Sequence, residues 1–219
     1  MTTVAIVPAK SFELAKQRLS STFQLGHRRA LIEAMFSDAM LAVRRVASID
    51  RVFVVTGDST AARIAAGEGA IVVEDTAESH SGAALLGIAR ALEIGARRVL
   101  LLPGDCPMLD PAEIESLLAR PVSNPSVVIV PDRHGEGTNA LLLTPPDAMS
   151  PAFGEGSRQR HIELATAAGA QPEVVEVPSL ALDIDTPDDL DELTERFQNT
   201  RGGAAHTRGM LSQLTRSQA

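Results

Sequence analysis

The chain has 219 residues, of which 44% are hydrophobic, with 20 Lys plus Arg against 28 Asp plus Glu and a single cysteine. That length suits one domain that buries roughly 70% of its unfolded surface, so a core needs no structural metal, and one cysteine excludes an internal disulfide. The opening MTTVAIVPAK has neither the basic start nor the longer apolar stretch of a signal peptide, and no run of about 18 apolar residues occurs, so a reducing cytoplasm without a membrane partner is expected.

Short β-branched or aliphatic runs at residues 3–7, 51–55, 70–73, 99–102 and 127–130 read as strands. The first four are each followed by helical spacing, over residues 28–46, 59–66, 83–94 and 111–118. The last of these opens with Asp110 as N-cap and Pro111 at the first helical position. Near-continuous apolar strands alternating with helices predict an α/β fold, a three-layer α/β/α sandwich around a mostly parallel sheet. After Val130 the turn-rich DRHGEG precedes a return strand over 139–143, which could run antiparallel. A helix over 157–168, a strand over 173–177 and a helix from Thr186-Pro187 to about Phe197 complete a domain over 1–198, and the last helix carries Asp188 and Asp189 in its first turn. Residues 199–219 have little apolar periodicity and read as a loose, disordered tail.

The net charge of −8 is unevenly spread. Residues 173–195 hold nine acids and no base, and the remaining nineteen acids nearly match the 20 bases. Residues 1–45 carry seven bases against three acids, including the only two lysines, Lys10 and Lys16. Positive charge is otherwise written as Arg, so either a compact ammonium is wanted at these two positions or they belong to a solvated basic turn.

Ligands of open α/β sheets bind at the carboxyl ends of strands, which directs attention to four segments. PAKSFELAKQRL, after the first strand, has no glycine and so is neither a P-loop nor a dinucleotide fingerprint. It offers Lys10, Lys16 and Arg18 as point charges able to bind a polyphosphate and stabilise a leaving pyrophosphate. LPGDCPM places Asp105 where it could hold a divalent ion or simply cap a turn, and Cys106 beside it reads as a packing residue. In LDIDTPDDL, Asp183 and Asp185 at i and i+2 of an extended segment point the same way, as hard oxygen ligands for Mg²⁺ would. Order along the chain argues against the D-x-D-x-T of haloacid-dehalogenase phosphatases, because that motif opens its domain and here only about 34 residues follow. The glycine-rich DRHGEGTN and FGEGSRQRH bring Thr138, Gly154 and Ser157 with Arg133, Arg158 and Arg160, either as ordinary loops or as a second anion site at a helix N-terminus.

Taken in order, V-P-A-K-S-x-x-x-A-K-x-R-L, G-D-C-P, D-R-H-G-x-G-T-N-x-L, F-G-x-x-S-x-x-x-H and L-D-I-D-T-P-x-D-L resemble the CofC/FbiD guanylyltransferases of coenzyme F-420 biosynthesis, over residues 3–196. The resemblance implies a nucleotide-diphospho-sugar transferase-like fold. It implies an enzyme that condenses GTP with phosphoenolpyruvate, giving enolpyruvyl-diphosphoguanosine and pyrophosphate, with 2-phospho-L-lactate or 3-phosphoglycerate as alternative acceptors. It further implies Mg²⁺ on Asp105, Asp183 and Asp185, catalytic roles for Lys10, Lys16 and Asp105, and triphosphate contacts from Lys10, Lys16 and Arg18. Acceptor contacts would come from Thr138, Gly154 and Ser157. The implied partners are GTP, a three-carbon phosphate and a downstream transferase that takes the product, with no nucleic acid or membrane. Arg-rich, Lys-poor usage fits a GC-rich bacterial genome and favours phosphoenolpyruvate. ESHSGAA at 78–84 departs from the Gly-Leu-Asn-Ala type stretch expected near the base, which leaves a nucleotidyltransferase of other base specificity, or a nucleotide-sensing module without turnover, as alternatives.

Overall fold

A computed structural model describes residues 1–13, 15–121 and 123–218, with the backbone alone at Ser21, Ser217 and Gln218. Strands β1 (Thr3–Pro8), β2 (Arg51–Thr56), β3 (Ile71–Glu74) and β4 (Arg98–Leu101) alternate with helices α1 (Leu25–Arg44), α2 (Ser59–Gly67) and α3 (His80–Glu93). After them come α4 (Pro111–Leu118), β5 (Ser126–Pro131), β6 (Thr138–Thr144), α5 (Ser157–Ala167), β7 (Gln171–Val174), α6 (Pro187–Asn199) and α7 (Ala205–Gln218). The seven strands form one sheet in the order β3-β2-β1-β4-β6-β5-β7. Only β6 runs against its neighbours β4 and β5, so the sheet is mixed but mostly parallel, as the alternation of elements predicts.

Alternation along the strands divides the core into two layers. Ala5, Val7, Leu100, Leu102, Val128 and Leu142 face α1, α4, α6 and α7, whereas Val4, Ile6, Val99, Leu101, Ile129 and Leu141 face α3 and α5. Each fully buried aliphatic side chain stabilises by about 1.5–3 kcal/mol, so this period-2 pattern sets strand register and face together. Local caps set the helix starts: the Asp58 carboxylate accepts from the Thr60 and Ala61 N–H groups, and Asp110 accepts from Ala112 ahead of Pro111. Strand β7 begins two residues before the expected 173–177 because Gln171 already pairs beside Ser126, while Val177 turns inward to the core before the 3-10 turn Pro178–Leu180.

The expected loose tail is corrected by the structure. Residues 205–218 form α7 against α1; Met210, Leu211 and Leu214 pack on the core, and the start of the helix is fixed by polar groups of α1, which no apolar periodicity shows. The Asp38 carboxylate of α1, 5% exposed, accepts from the backbone N–H groups of His206 (3.1 Å) and Thr207 (2.8 Å) and from the Thr207 hydroxyl (2.7 Å). His206 Nδ1 lies 2.9 Å from the same carboxylate, and the Arg208 guanidinium sits 4.0 Å over the Phe197 ring. A helix capped from another helix 168 residues away has no local signature. Asp38→Ala leaves those donors without partners, a loss of about 2 kcal/mol. Thermal denaturation of this variant should show Tm lower by roughly 4–8 °C for a chain of this size; an unchanged Tm would show that the cap does not hold α7.

Candidate active site

Parallel β1 and β4 end at the edge where antiparallel β6 begins, and their loops enclose a cavity of about 550 Å³ there. After β1, the Ala9 N–H bonds Val55 O (2.9 Å), the Phe12 N–H bonds the Asp58 carboxylate (3.0 Å), and the chain turns at Lys16 with φ +54°. A left-handed lysine costs on the order of 1 kcal/mol. Its ammonium offsets that by donating to both Asp105 Oδ2 and Asp185 Oδ1, with the side chain only 9% exposed. Burial, the largest single effect, disfavours the charged ammonium, but Asp105 and then Asp185 together outweigh it and hold the Lys16 pKa above its ordinary value. Gly104 makes room for this arrangement, since a Cβ there would meet the Phe36 ring at 2.8 Å. Cys106 is fully buried with its thiol donating to Leu180 O (3.6 Å), and burial pushes the thiol pKa well up, which suits packing and not nucleophilic attack.

Asp183 and Asp185 both line the cavity while Ile184 between them is buried, the i, i+2 geometry the sequence predicts. The Asn139 amide donates to Asp183 (3.1 Å) and to Leu180 O (2.7 Å), tying the acidic segment to β6. Asp189 closes the turn below, accepting from the N–H groups of Asp185 (3.1 Å) and Thr186 (2.7 Å) and pairing with Arg133 (2.6 Å). Lys10 is bound as well, to the buried Asp75 carboxylate (2.6 Å) and Ala77 O (2.8 Å). Sequence reasoning missed Asp75, although its position just after β3 was the available signal.

The opposite wall carries neutral donors. Thr138 Oγ1 lies 3.0 Å from Nδ1 of the fully buried His161, whose Nε2 accepts from the Ala152 N–H (2.9 Å). Gly154, at φ +117°, adopts a conformation open to glycine, and the Phe153 N–H beside it donates to Ser81 Oγ (2.9 Å). Ser157 opens α5, but the expected bank of free N–H groups is partly used: Ser157 N–H donates to Gly154 O (3.0 Å) and Arg158 N–H to Glu136 O (3.1 Å). The arginines expected to add charge do not line the cavity; Arg133 pairs with Asp189, and Arg160 donates to Ala152 O and Glu155 O (both 3.0 Å).

Of the predicted site residues, Lys10, Lys16, Asp105, Thr138, Gly154, Ser157, Asp183 and Asp185 all line the one cavity. Arg18 does not; it is exposed on the 3-10 turn Gln17–Ser21. Among the described residues no three Asp, Glu, His or Cys side chains stand grouped as a metal cage, and the Lys16 ammonium occupies the space between Asp105 and Asp185. The donor set nevertheless fits a hard divalent cation. Asp75, Asp105, Asp183 and Asp185 face only Lys10 and Lys16 on this wall, and the surplus carboxylate charge falls on Asp183. Burial, then Asp105 and Asp185, push its pKa up to about 6. Mg²⁺ takes one or two carboxylates together with waters and substrate phosphate oxygens, which asks for no protein cage.

A carboxyl whose folded pKa exceeds its unfolded value contributes stability when protonated, below about pH 4, and loses it as pH rises through about 6. In chelator-treated protein at pH 7.5, Asp183→Asn keeps an acceptor for Asn139 and removes that buried charge. Its Tm should exceed the wild-type value by a few degrees, on the order of 1–2 kcal/mol, with the difference shrinking toward pH 4. A lower Tm at pH 7.5 would contradict the charge surplus.

Comparison with known proteins identifies the fold and the family. A solved structure described as a nucleotide-diphospho-sugar transferase from Desulfovibrio desulfuricans superposes with a TM-score of 0.77 over 99% of this chain and 98% of that one, at 16% identity, a likeness of fold. A phosphoenolpyruvate guanylyltransferase of Conexibacter woesei is 55% identical over 99% of this chain and 98% of its own length. A 2-phospho-L-lactate guanylyltransferase of Methanothermobacter thermautotrophicus is 35% identical over 98% and 92%. The sequence profile described as "Guanylyl transferase CofC like" matches residues 3–215, most of α7 included, and the chain belongs to that family.

Proposed function

We propose that this chain is a phosphoenolpyruvate guanylyltransferase. The observation that carries the reading is the 55% identity, across nearly the whole of both chains, to a relative of that name. The cavity supports it, with lysines and carboxylates on one wall and neutral donors on the other. In the proposed reaction an oxygen of the phosphoenolpyruvate phosphate attacks the α-phosphorus of GTP, the bond from that phosphorus to the bridging oxygen of the β-phosphate breaks, and pyrophosphate leaves. The product is enolpyruvyl-diphosphoguanosine, which a downstream transferase of coenzyme F-420 biosynthesis would consume. A phosphate monoester with a second pKa of about 6 is already mostly dianionic at neutral pH, so the attack needs no general base.

What the reaction requires is relief of repulsion between two polyanions. Asp105, Asp183 and Asp185 would hold Mg²⁺, which when bound supplies positive charge shared between the reacting phosphates. Lys16 and Lys10 sit at the end of β1, where their ammonium groups can offset charge on the departing pyrophosphate once phosphate oxygens compete with their present carboxylate partners. Thr138 and Ser157, on the far wall, supply hydroxyls to the acceptor, and Gly154 lets it approach the backbone. Ser79, His80 and Ser81, at the start of α3, form the part of the cavity left for the base.

Purified protein with Mg²⁺, GTP and phosphoenolpyruvate should release pyrophosphate, and parallel reactions with CTP, ATP, 2-phospholactate and 3-phosphoglycerate should be slower. No pyrophosphate from any pair would overturn the assignment, and a faster reaction with 2-phospholactate would move it to the alternative acceptor. Asp183→Asn should lower kcat by roughly 100-fold or more while the protein remains folded; near-normal GTP consumption would remove Asp183 from the metal-binding set.

A further inference from the structure

We propose that His161 is a positioning residue for the acceptor: with both ring nitrogens held by fixed partners, it makes the Thr138 hydroxyl a hydrogen-bond donor into the cavity, for a phosphate or carboxylate oxygen of the phosphoacid. This inference rests on the reading of the cavity as a guanylyltransferase site.

The assignment follows from counting protons. Ala152 N–H can only donate, so the ring nitrogen it meets, His161 Nε2 at 2.9 Å, carries no proton. A neutral imidazole has one N–H, which must then be on Nδ1, facing Thr138 Oγ1 at 3.0 Å. The imidazolium form would set two N–H groups against each other at Nε2, and burial, then the Arg160 charge, push the His161 pKa down to about 4. Thr138 Oγ1 thus accepts from His161, and the hydroxyl proton is left to donate. Among the described residues His161 is the only hydrogen-bond partner of Thr138 Oγ1, and Thr138 lines the cavity, so the acceptor for that proton is the ligand.

The surroundings lock the device in place. His161 is fully buried in α5. The Phe153 ring packs edge-to-face with it, with centroids 5.3 Å apart, and also meets His80 at 5.4 Å. A buried imidazole costs stability unless both nitrogens are satisfied, and here each has one partner with one possible proton placement. A purely structural histidine would tie the 152–154 loop to β6 without regard to where the Thr138 proton points, and that difference can be measured.

The test is a double-mutant cycle on the full chain, read as separate KM values for GTP and phosphoenolpyruvate. Thr138→Val and His161→Leu should each raise KM for phosphoenolpyruvate roughly 10- to 100-fold, the size of a lost hydrogen bond to a charged group, and leave KM for GTP within about twofold. In the Thr138→Val background His161→Leu should add little further loss. His161→Asn, whose amide N–H₂ can take the place of Nδ1, should recover part of the lost activity and serves as the second variant if His161→Leu does not fold. The ¹⁵N resonances of His161 in wild-type protein should show a protonated Nδ1 and a bare Nε2. Equal loss from His161→Leu in both backgrounds, a parallel rise of KM for both substrates, or an Nε2-protonated ring would each overturn the inference. If the wild type turns over GTP with another phosphoacid, the cycle is run on that acid; if it turns over none, the guanylyltransferase reading fails first, and the ¹⁵N result alone decides the tautomer that the inference requires.

Discussion

The cavity is organised around one buried contact, the Lys16 ammonium shared by Asp105 and Asp185. It joins the loop after β1 to residues 89 and 169 positions further along the chain. A lysine buried to this degree would ordinarily shed its proton, and two carboxylates are what keep it charged. The same ammonium in turn offsets the repulsion between those two carboxylates. Removing one carboxylate would leave the ammonium, its side chain 9% exposed, with a single partner, and removing Lys16 would leave two carboxylates facing each other; either costs more than the loss of an exposed ion pair.

From that contact, order passes to the rest of the site through backbone groups. Asp185 is fixed because its N–H and that of Thr186 end on the Asp189 carboxylate, and Asp189 also pairs with Arg133 in the loop between β5 and β6. The same loop leads directly into Thr138, while Asn139 next along β6 reaches back to Asp183. The two walls of the cavity therefore share one scaffold: the antiparallel strand β6 begins where the parallel strands β1 and β4 end. Reversing that one strand within an otherwise parallel sheet brings neutral donors opposite the carboxylates.

Much of this was legible in the sequence because it is local. Strand and helix alternation, the Asp110-Pro111 start of α4 and the shared direction of Asp183 and Asp185 all follow from spacing over a few residues. What was not legible is pairing across distance. Lys10 and Lys16 read as free positive charge, yet the structure gives both of them carboxylate partners, and nothing in the local pattern names Asp75 as one. Arg133 and Arg160 read as charge for an anion and are spent on the scaffold instead. The helix α7 read as a tail because its cap comes from Asp38 on α1. His161 stood within a quoted motif without a role, since its proton is placed by a backbone N–H that no side-chain pattern reveals.

The net charge of −8 is a poor guide to the ligand for the same reason. The lysine and carboxylate wall carries more carboxylates than ammonium groups, and Arg133 and Arg160 near the opposite wall are bound elsewhere. An anion entering this cavity meets a carboxylate surplus on one side and, on the other, neutral donors beside the Asp132 carboxylate, which accepts from the His134, Glu136 and Gly137 N–H groups, so it gains little until that surplus is offset by a cation. Neutral donors then have an advantage over arginines. A hydroxyl whose proton is aimed by a neutral imidazole selects by position, whereas a guanidinium would attract phosphates of any shape, GTP included. On the guanylyltransferase reading, one cavity must hold two phosphate-bearing ligands without exchanging their places, and the division into a lysine-bearing wall and a wall of hydroxyl donors distinguishes them.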